Sequence, residues 1–126
     1  GHKSARYEHF GMVAARLDDV VNLIPARLTG VLFALVSGRM LRSFAVMLRD
    51  ARYHRSPNAG WPEAAMAGAL DLRLSGPRIY GSQIADEPWL NAGARDATGP
   101  DLTRGLALYV RAMVVLCLIL ALVALV

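Results

Sequence analysis

Lysine is nearly missing from this 126-residue chain: of its 14 basic residues, all but Lys3 are arginine. That excludes the phosphate-binding loop GxxxxGK[ST], which depends on its lysine. No two of its 11 glycines lie two positions apart, so the dinucleotide fingerprint GxGxxG is excluded as well. Any use of a nucleotide rests on another arrangement. The single cysteine, Cys117, rules out an intrachain disulfide and leaves the redox compartment open. The three histidines, His2, His9 and His54, stand neither at i, i+4 nor beside cysteines at ligand spacing, which argues against a zinc site. Aromatic residues make up only 7% of the chain. A net charge of +4 without aromatic platforms or a soluble basic face argues against nucleic acid. It fits anionic lipid head groups or anionic substrates better.

Apolar residues are abundant, at 55% of the chain with a mean hydropathy of +0.35, and they come in blocks. Leu106 to Val126 is 21 residues long with one charge, Arg111, near its start. At about 1.5 Å per residue it spans a hydrocarbon core of about 30 Å, and Arg111 can snorkel to the near interface. A transmembrane helix follows, with Cys117 packed as an apolar side chain. Upstream, Val13, Leu17, Val20 and Val21 give an amphipathic helix over Phe10 to Asn22. Pro25 suits the first turn of a second helix, whose apolar stretch Leu28 to Val36 is too short for a perpendicular span and reads as re-entrant or tilted. Five arginines between Arg39 and Arg55, against Asp50, suggest a helix at the membrane surface on the cytoplasmic side. After turn residues at 54–60, Pro62 restarts a helix with a thin surface of Ala64, Ala65, Ala67, Gly68 and Ala69, ended after Leu74 by Gly76-Pro77. Ser75 to Gly105 reads as a long extramembrane loop, with Asp101 placed to cap the last helix. The expected fold is all-α. It is an integral membrane helical protein with membrane-associated helices at 12–48, polar motif loops and a short helix at 54–105, and a transmembrane helix at 106–126. The polar opening at Gly1, without methionine or a signal-peptide core, suggests part of a longer protein.

The chemistry-bearing residues concentrate between His54 and Glu63. Arg55, Ser56, Asn58, Trp61 and Glu63 put a cation, a hydroxyl, an amide, an aromatic ring and a carboxylate on one Gly/Pro-shaped turn. Glu63 falls in a first helical turn, where the macrodipole favours negative charge; the plain alternative is a solvated helix-start acid. Arg16, Asp18, Asp19, Asn22 and Arg27 form a second cluster. Neighbouring carboxylates on a helix point to different faces, so only one of Asp18 and Asp19 is expected in a given site, and an Asp19–Arg16 bridge is the simpler alternative. Arg78 and Tyr80 form a third patch, in which the arginine fork can grip a phosphate or carboxylate.

These segments occur in a specific order. Phe10-Gly11, Ala14 to Asp19, Ile24 to Leu28, Ser56-Pro57-Asn58-Ala59-Gly60-Trp61-Pro62-Glu63-Ala64-Ala65, Gly68 to Leu70 and Gly76-Pro77-Arg78-Ile79-Tyr80-Gly81 follow one another as in the adenosylcobinamide-phosphate synthase (CobD/CbiB) family of cobalamin biosynthesis, which the chain resembles over nearly its whole length. The resemblance is to the C-terminal part of the family, whose N-terminal half carries further transmembrane helices. It implies a membrane enzyme that uses ATP and Mg²⁺ to join a carboxylate of a corrinoid, adenosylcobyric acid, to aminopropanol or its phosphate. The implied setting is the cell membrane, with the motif loop cytoplasmic and other corrinoid-pathway membrane enzymes as possible neighbours. Under that reading Glu63 is a general base or metal ligand, Asn58 orients substrate, and Asp18 or Asp19 holds the metal. Arg55, Ser56, Trp61, Arg78, Tyr80, Arg16 and Arg27 would contact substrate. Ser75, where the family commonly has glycine, is expected to matter little. The reading from a different class is a non-catalytic membrane anchor, scaffold or truncated remnant.

Overall fold

The computed structural model describes residues 8–80 and 83–125, without the side chains of 8–10, 80 and 83–85. The chain is mostly helical. Five α-helices, α1 (Glu8–Val21), α2 (Leu23–Val36), α3 (Met40–Asp50), α4 (Gly60–Leu70) and α5 (Gly99–Ala124), are joined by a 3₁₀ turn at Ala51–Tyr53 and four short strands.

α1 and α2 meet at an angle of 44°. Pro25 has no N–H for the Val21 carbonyl, and its ring crowds that carbonyl, so the helix bends there. Asn22 covers the break, its Nδ2 donating to the Asp18 carbonyl at 3.0 Å and to Asp18 Oδ1 at 2.9 Å. Together α1 and α2 have the length and composition of one bent membrane span, whereas α2 alone is 14 residues long.

The small residues of α4 act as the sequence suggests. Seven of its eleven residues are buried, and Gly68 lies so close to α3 that an added Cβ would fall 2.8 Å from Ser43 Cα. Ser43 Oγ donates to the Ala65 carbonyl at 2.6 Å, tying the two helices. On the α2 side, Gly30 admits the Trp61 carbonyl and Met47 Sδ in the same way. Three of the five arginines on and beside α3 are exposed and have acid partners: Arg39 and Arg42 both pair with Asp71, and Arg49 with Asp50. α4 stops at Leu70 and not at Leu74. Asp71 turns left-handed at φ +60° and the Leu72 N–H donates back to the Ala67 carbonyl, a Schellman-type end.

The expected polar loop contains structure, so the chain is not purely α-helical. β1 (Leu74–Ser75) pairs antiparallel with β4 (Trp89–Leu90), and β2 (Arg78–Tyr80) with β3 (Gln83–Ala85). Gly76, at φ +80°, lies flat under the Trp89 ring, where no larger residue fits. Leu72 and Leu90 complete the core with Leu32, Phe33, Met47 and Leu70.

α5 begins at Gly99, ahead of the apolar run. Asp101 takes part in its cap as expected, though as the third residue of its first turn: Thr98 is the N-cap, and Thr98 and Asp101 form a reciprocal capping box. Leu108 and Ala112 pack against the core, whereas Leu116, Leu118, Leu120, Leu122 and Leu125 are exposed. At about 1.5 Å per residue, these 26 residues reach about 39 Å, enough to cross a bilayer.

Candidate functional site

The loop between the 3₁₀ turn and α4 is held by backbone approach. At Gly60 a Cβ would fall 2.1 Å from the Ala51 carbonyl oxygen and 2.7 Å from His54 Cβ, so only glycine lets the two ends of the loop meet. Inside it, Ser56 Oγ accepts from the Asn58 and Ala59 N–H groups at 3.3 and 3.2 Å. The Ser56 hydroxyl therefore shapes the turn. The Ser56 N–H donates to His54 Nδ1 at 3.0 Å. A neutral imidazole with an accepting Nδ1 carries its proton on Nε2, so that nitrogen presents an N–H.

His54 Nε2 faces two carboxylates, Glu63 at 3.6 Å and Glu87 at 4.0 Å. Arg55 Nε stands 3.6 Å from Glu87, and Ser75 Oγ donates to Glu87 at 3.3 Å. His54 and Glu87 are nearly buried, whereas the Glu63 side chain is 37% exposed. Sequence reasoning missed His54 and Glu87 as partners of Glu63. Glu87 is brought there by the pairing of β1 with β4, which no local pattern announces. His54 was weighed only as a zinc ligand, although its place beside Arg55-Ser56 was a usable signal. Ser75 matters more than expected: it sits at φ +66°, a conformation that glycine adopts most easily, and contacts Glu87.

Against the same loop lies a cavity of about 300 Å³. Asp18, Asp19, Asn22, Thr29, Ser56 and Asn58 supply its polar lining. Both aspartates border it. Asp19 is engaged through its main chain, its carbonyl accepting from Asn58 Nδ2 at 2.8 Å. Asn58 is 8% exposed, and its Oδ1 is buried with no hydrogen-bond partner among the described residues. An unanswered buried acceptor is expensive and asks for a ligand. The donor set of carboxylates and an amide oxygen suits a hard cation such as Mg²⁺, which takes one or two carboxylates and leaves its other positions to water or phosphate. Glu63 does not border this cavity, so it stands apart from the aspartates with which it was grouped as a metal ligand. Among the described residues no three His, Cys, Asp or Glu side chains gather closely enough to hold a metal by themselves.

The other expected contacts divide. Trp61 packs into the core, and the Arg27 guanidinium lies 4.5 Å from its ring centroid while donating to the Leu23 carbonyl at 2.7 Å. The two residues stack on one another instead of presenting free faces to a ligand. Arg16 is exposed on α1 and borders neither side of the loop. Arg78 is exposed on β2. The side chain of Tyr80 lies outside the described residues.

A contrasting cluster lies behind the loop. The buried Asp50 carboxylate takes two hydrogen bonds from Arg49, at 2.6 and 2.7 Å, and one from the Asn91 N–H at 2.7 Å. The Arg49 hydrogen bonds hold its pKa below the usual carboxylate value, against the opposing effect of burial, and the Asn91 N–H adds to the lowering.

The family model described as CobD/Cbib protein matches residues 1–109. The protein of Rhodobacter capsulatus called cobalamin biosynthesis protein CobD is 65% identical over 124 residues, which cover 98% of this chain and 40% of that protein. Proteins of the same name from Brucella suis biovar 1 and Sinorhizobium fredii are 54% and 48% identical, covering 86% and 89% of this chain and 36% of each relative. The chain thus spans about 40% of the length of the Rhodobacter relative and somewhat less of the others. No solved structure matches it. With the family model covering the segment that holds both sides of the loop, the chain belongs to the CobD/CbiB family.

Proposed function

We propose that this chain is the C-terminal part of a membrane-embedded enzyme of cobalamin biosynthesis that joins a corrinoid carboxylate to aminopropanol or its phosphate in an ATP-dependent amide ligation. The observation that carries this reading is the division of the His54–Glu63 loop. One side offers an exposed carboxylate backed by histidine, and the other an oxygen-lined cavity with an unanswered amide oxygen. Amide formation needs both a proton acceptor for the attacking amine and a cation-supported anion site.

As the amine nitrogen bonds to the activated carboxyl carbon, that carbon's bond to the oxygen of the phosphoryl or adenylyl group breaks, releasing phosphate or AMP, and the nitrogen loses a proton. Glu63 is the acceptor suited to this: it is accessible, and the Nε2–H of His54 faces it and orients it. Because that nitrogen carries a proton, His54 positions Glu63 and is not itself the base. Glu87 steadies His54 from the other side and holds Arg55 close to the amine's approach. Asp18, Asp19 and Asn58 Oδ1 would hold Mg²⁺, and ATP with that ion supplies the activation of the carboxylate. The cell membrane, with the loop on the cytoplasmic side, is the proposed location, supported by the length and apolar composition of α5.

The test supplies adenosylcobyric acid, ATP, Mg²⁺ and aminopropanol phosphate to membranes carrying this chain together with the remaining portion of a CobD relative. Corrinoid products are followed by mass spectrometry. The reading expects adenosylcobinamide phosphate from the native sequence and none above background from Glu63→Gln. Product formation that is indifferent to Glu63→Gln removes the site, and absence of product from both favours the anchor reading.

A further inference from the structure

At the end of α2 remote from the loop lies a second cavity of about 300 Å³, bordered by Ser37, Arg39, Leu70, Arg104, Leu108 and Arg111. It shares no lining residue with the cavity at Asn58. Along α2 the two are separated by the twelve steps from Pro25 to Ser37, about 18 Å at the helical rise.

Its charges do not balance. Asp71 pairs with Arg39 at 3.7 Å and more closely with Arg42. Asp101 pairs with Arg95 and with Arg104, each at 2.7 Å, and Arg104 also donates to the Leu70 carbonyl at 3.2 Å. Three guanidinium groups, those of Arg39, Arg104 and Arg111, thus border the cavity with no carboxylate in its lining, and the acids beyond it are shared, Asp71 between Arg39 and Arg42 and Asp101 between Arg95 and Arg104. Arg111 makes no ion pair or hydrogen bond with any described residue. It lies five residues into the apolar run that starts at Leu106, about 7.5 Å along the axis, which is within reach of a snorkelling side chain. Next to it on α5, Val110 and Val114 are exposed.

We propose that this cavity binds a phosphate group, supplied by the head group of an anionic phospholipid. Like charges held together at the rim of a low-dielectric region are stabilised by a counter-anion, and the guanidinium fork matches phosphate oxygens. The apolar surface running on from Arg111 through Val110 and Val114 gives the acyl chains a place to lie, which a free phosphate ester would not use. This inference is independent of amide ligation.

The test is native mass spectrometry of the chain in a neutral detergent, titrated with phosphatidylglycerol and phosphatidylcholine, with inorganic phosphate as competitor. Arg111→Gln and Arg111→Lys are compared with Arg52→Gln, which removes the same charge from the exposed 3₁₀ turn, and circular dichroism verifies the helical content of each variant. From about 1 kcal/mol for each interfacial arginine, Arg111→Gln should lose about fivefold of the native chain's preference for phosphatidylglycerol. Arg111→Lys and Arg52→Gln should keep it. Competition by inorganic phosphate that is sensitive to Arg111→Gln, without lipid preference, would keep the phosphate site but overturn its lipid source. Equal binding of both lipids with no effect of phosphate, or equal losses in Arg111→Gln and Arg52→Gln, would overturn the proposal.

Discussion

Asp50 and Asp101 are buried as deeply as Asn58 of the His54–Glu63 loop, but the two regions treat their polar groups differently. Around Asp50 and Asp101 each carboxylate oxygen is met by a donor at 2.6 to 2.9 Å, from arginine, hydroxyl or main chain. Around the loop the corresponding separations are 3.3 to 4.0 Å, and Asn58 Oδ1 has no partner among the described residues. A saturated buried carboxylate stabilises a particular packing and has nothing left to offer a substrate. An unsaturated one costs stability and keeps its capacity for a ligand. The contrast supports the proposed reading, in which the first region is architecture and the second carries the chemistry.

The largest effect that would break this contrast is at Glu63. Glu63→Gln should lower amide-forming turnover by about 10² to 10⁴-fold, as loss of a general base does, with the thermal midpoint unchanged. A midpoint that falls together with the rate would make Glu63 an architectural residue. Asp50→Ala should do the reverse. Stranding the Asn91 N–H should lower stability by about 2 kcal/mol in denaturant titration, and enzyme that remains folded should keep its turnover.

The same aspartate gives a pH signature. Its folded pKa lies below the unfolded value of about 3.9, so its stabilising contribution is present above that pH and is lost as the pH falls through the folded value. An Asp50→Asn variant should therefore lose less stability than the native chain when acidified below about pH 4, which unfolding followed from pH 6 to pH 2 would measure. Asn58→Ala sharpens the contrast further. It removes one hydrogen bond and one unanswered acceptor together, so stability should change by less than about 1 kcal/mol while turnover at limiting Mg²⁺ falls. Smallest is Arg27→Gln, which removes the stacking on Trp61 and should lower stability by about 0.5 to 1 kcal/mol with turnover retained, measured in the same unfolding and activity assays.

What was legible in the sequence depended on range. The bend at Pro25, the thin face of α4, the turn before Pro62 and the role of Asp101 at the head of α5 each follow from residues within one or two helical turns, where steric rules act locally. The meeting of His54 with Glu87, 33 positions apart, follows from the pairing of β1 with β4, two-residue strands with no alternation long enough to read. One donor to Asp50 is likewise a main-chain N–H 41 positions away. Arg27 and Trp61 were visible as residue types suited to ligands. Only their proximity reveals that each occupies the other.

Gly60 carries a further consequence. Because its missing side chain lets the backbone there meet the Ala51 carbonyl, the segment from 51 to 60 returns to its own starting point and is closed like a ring by main-chain atoms. The entropy of closing it is met by the α3–α4 packing on which both ends rest. A side chain at Gly60 would push the two ends of this segment apart and carry His54 and Asn58 away from their present partners.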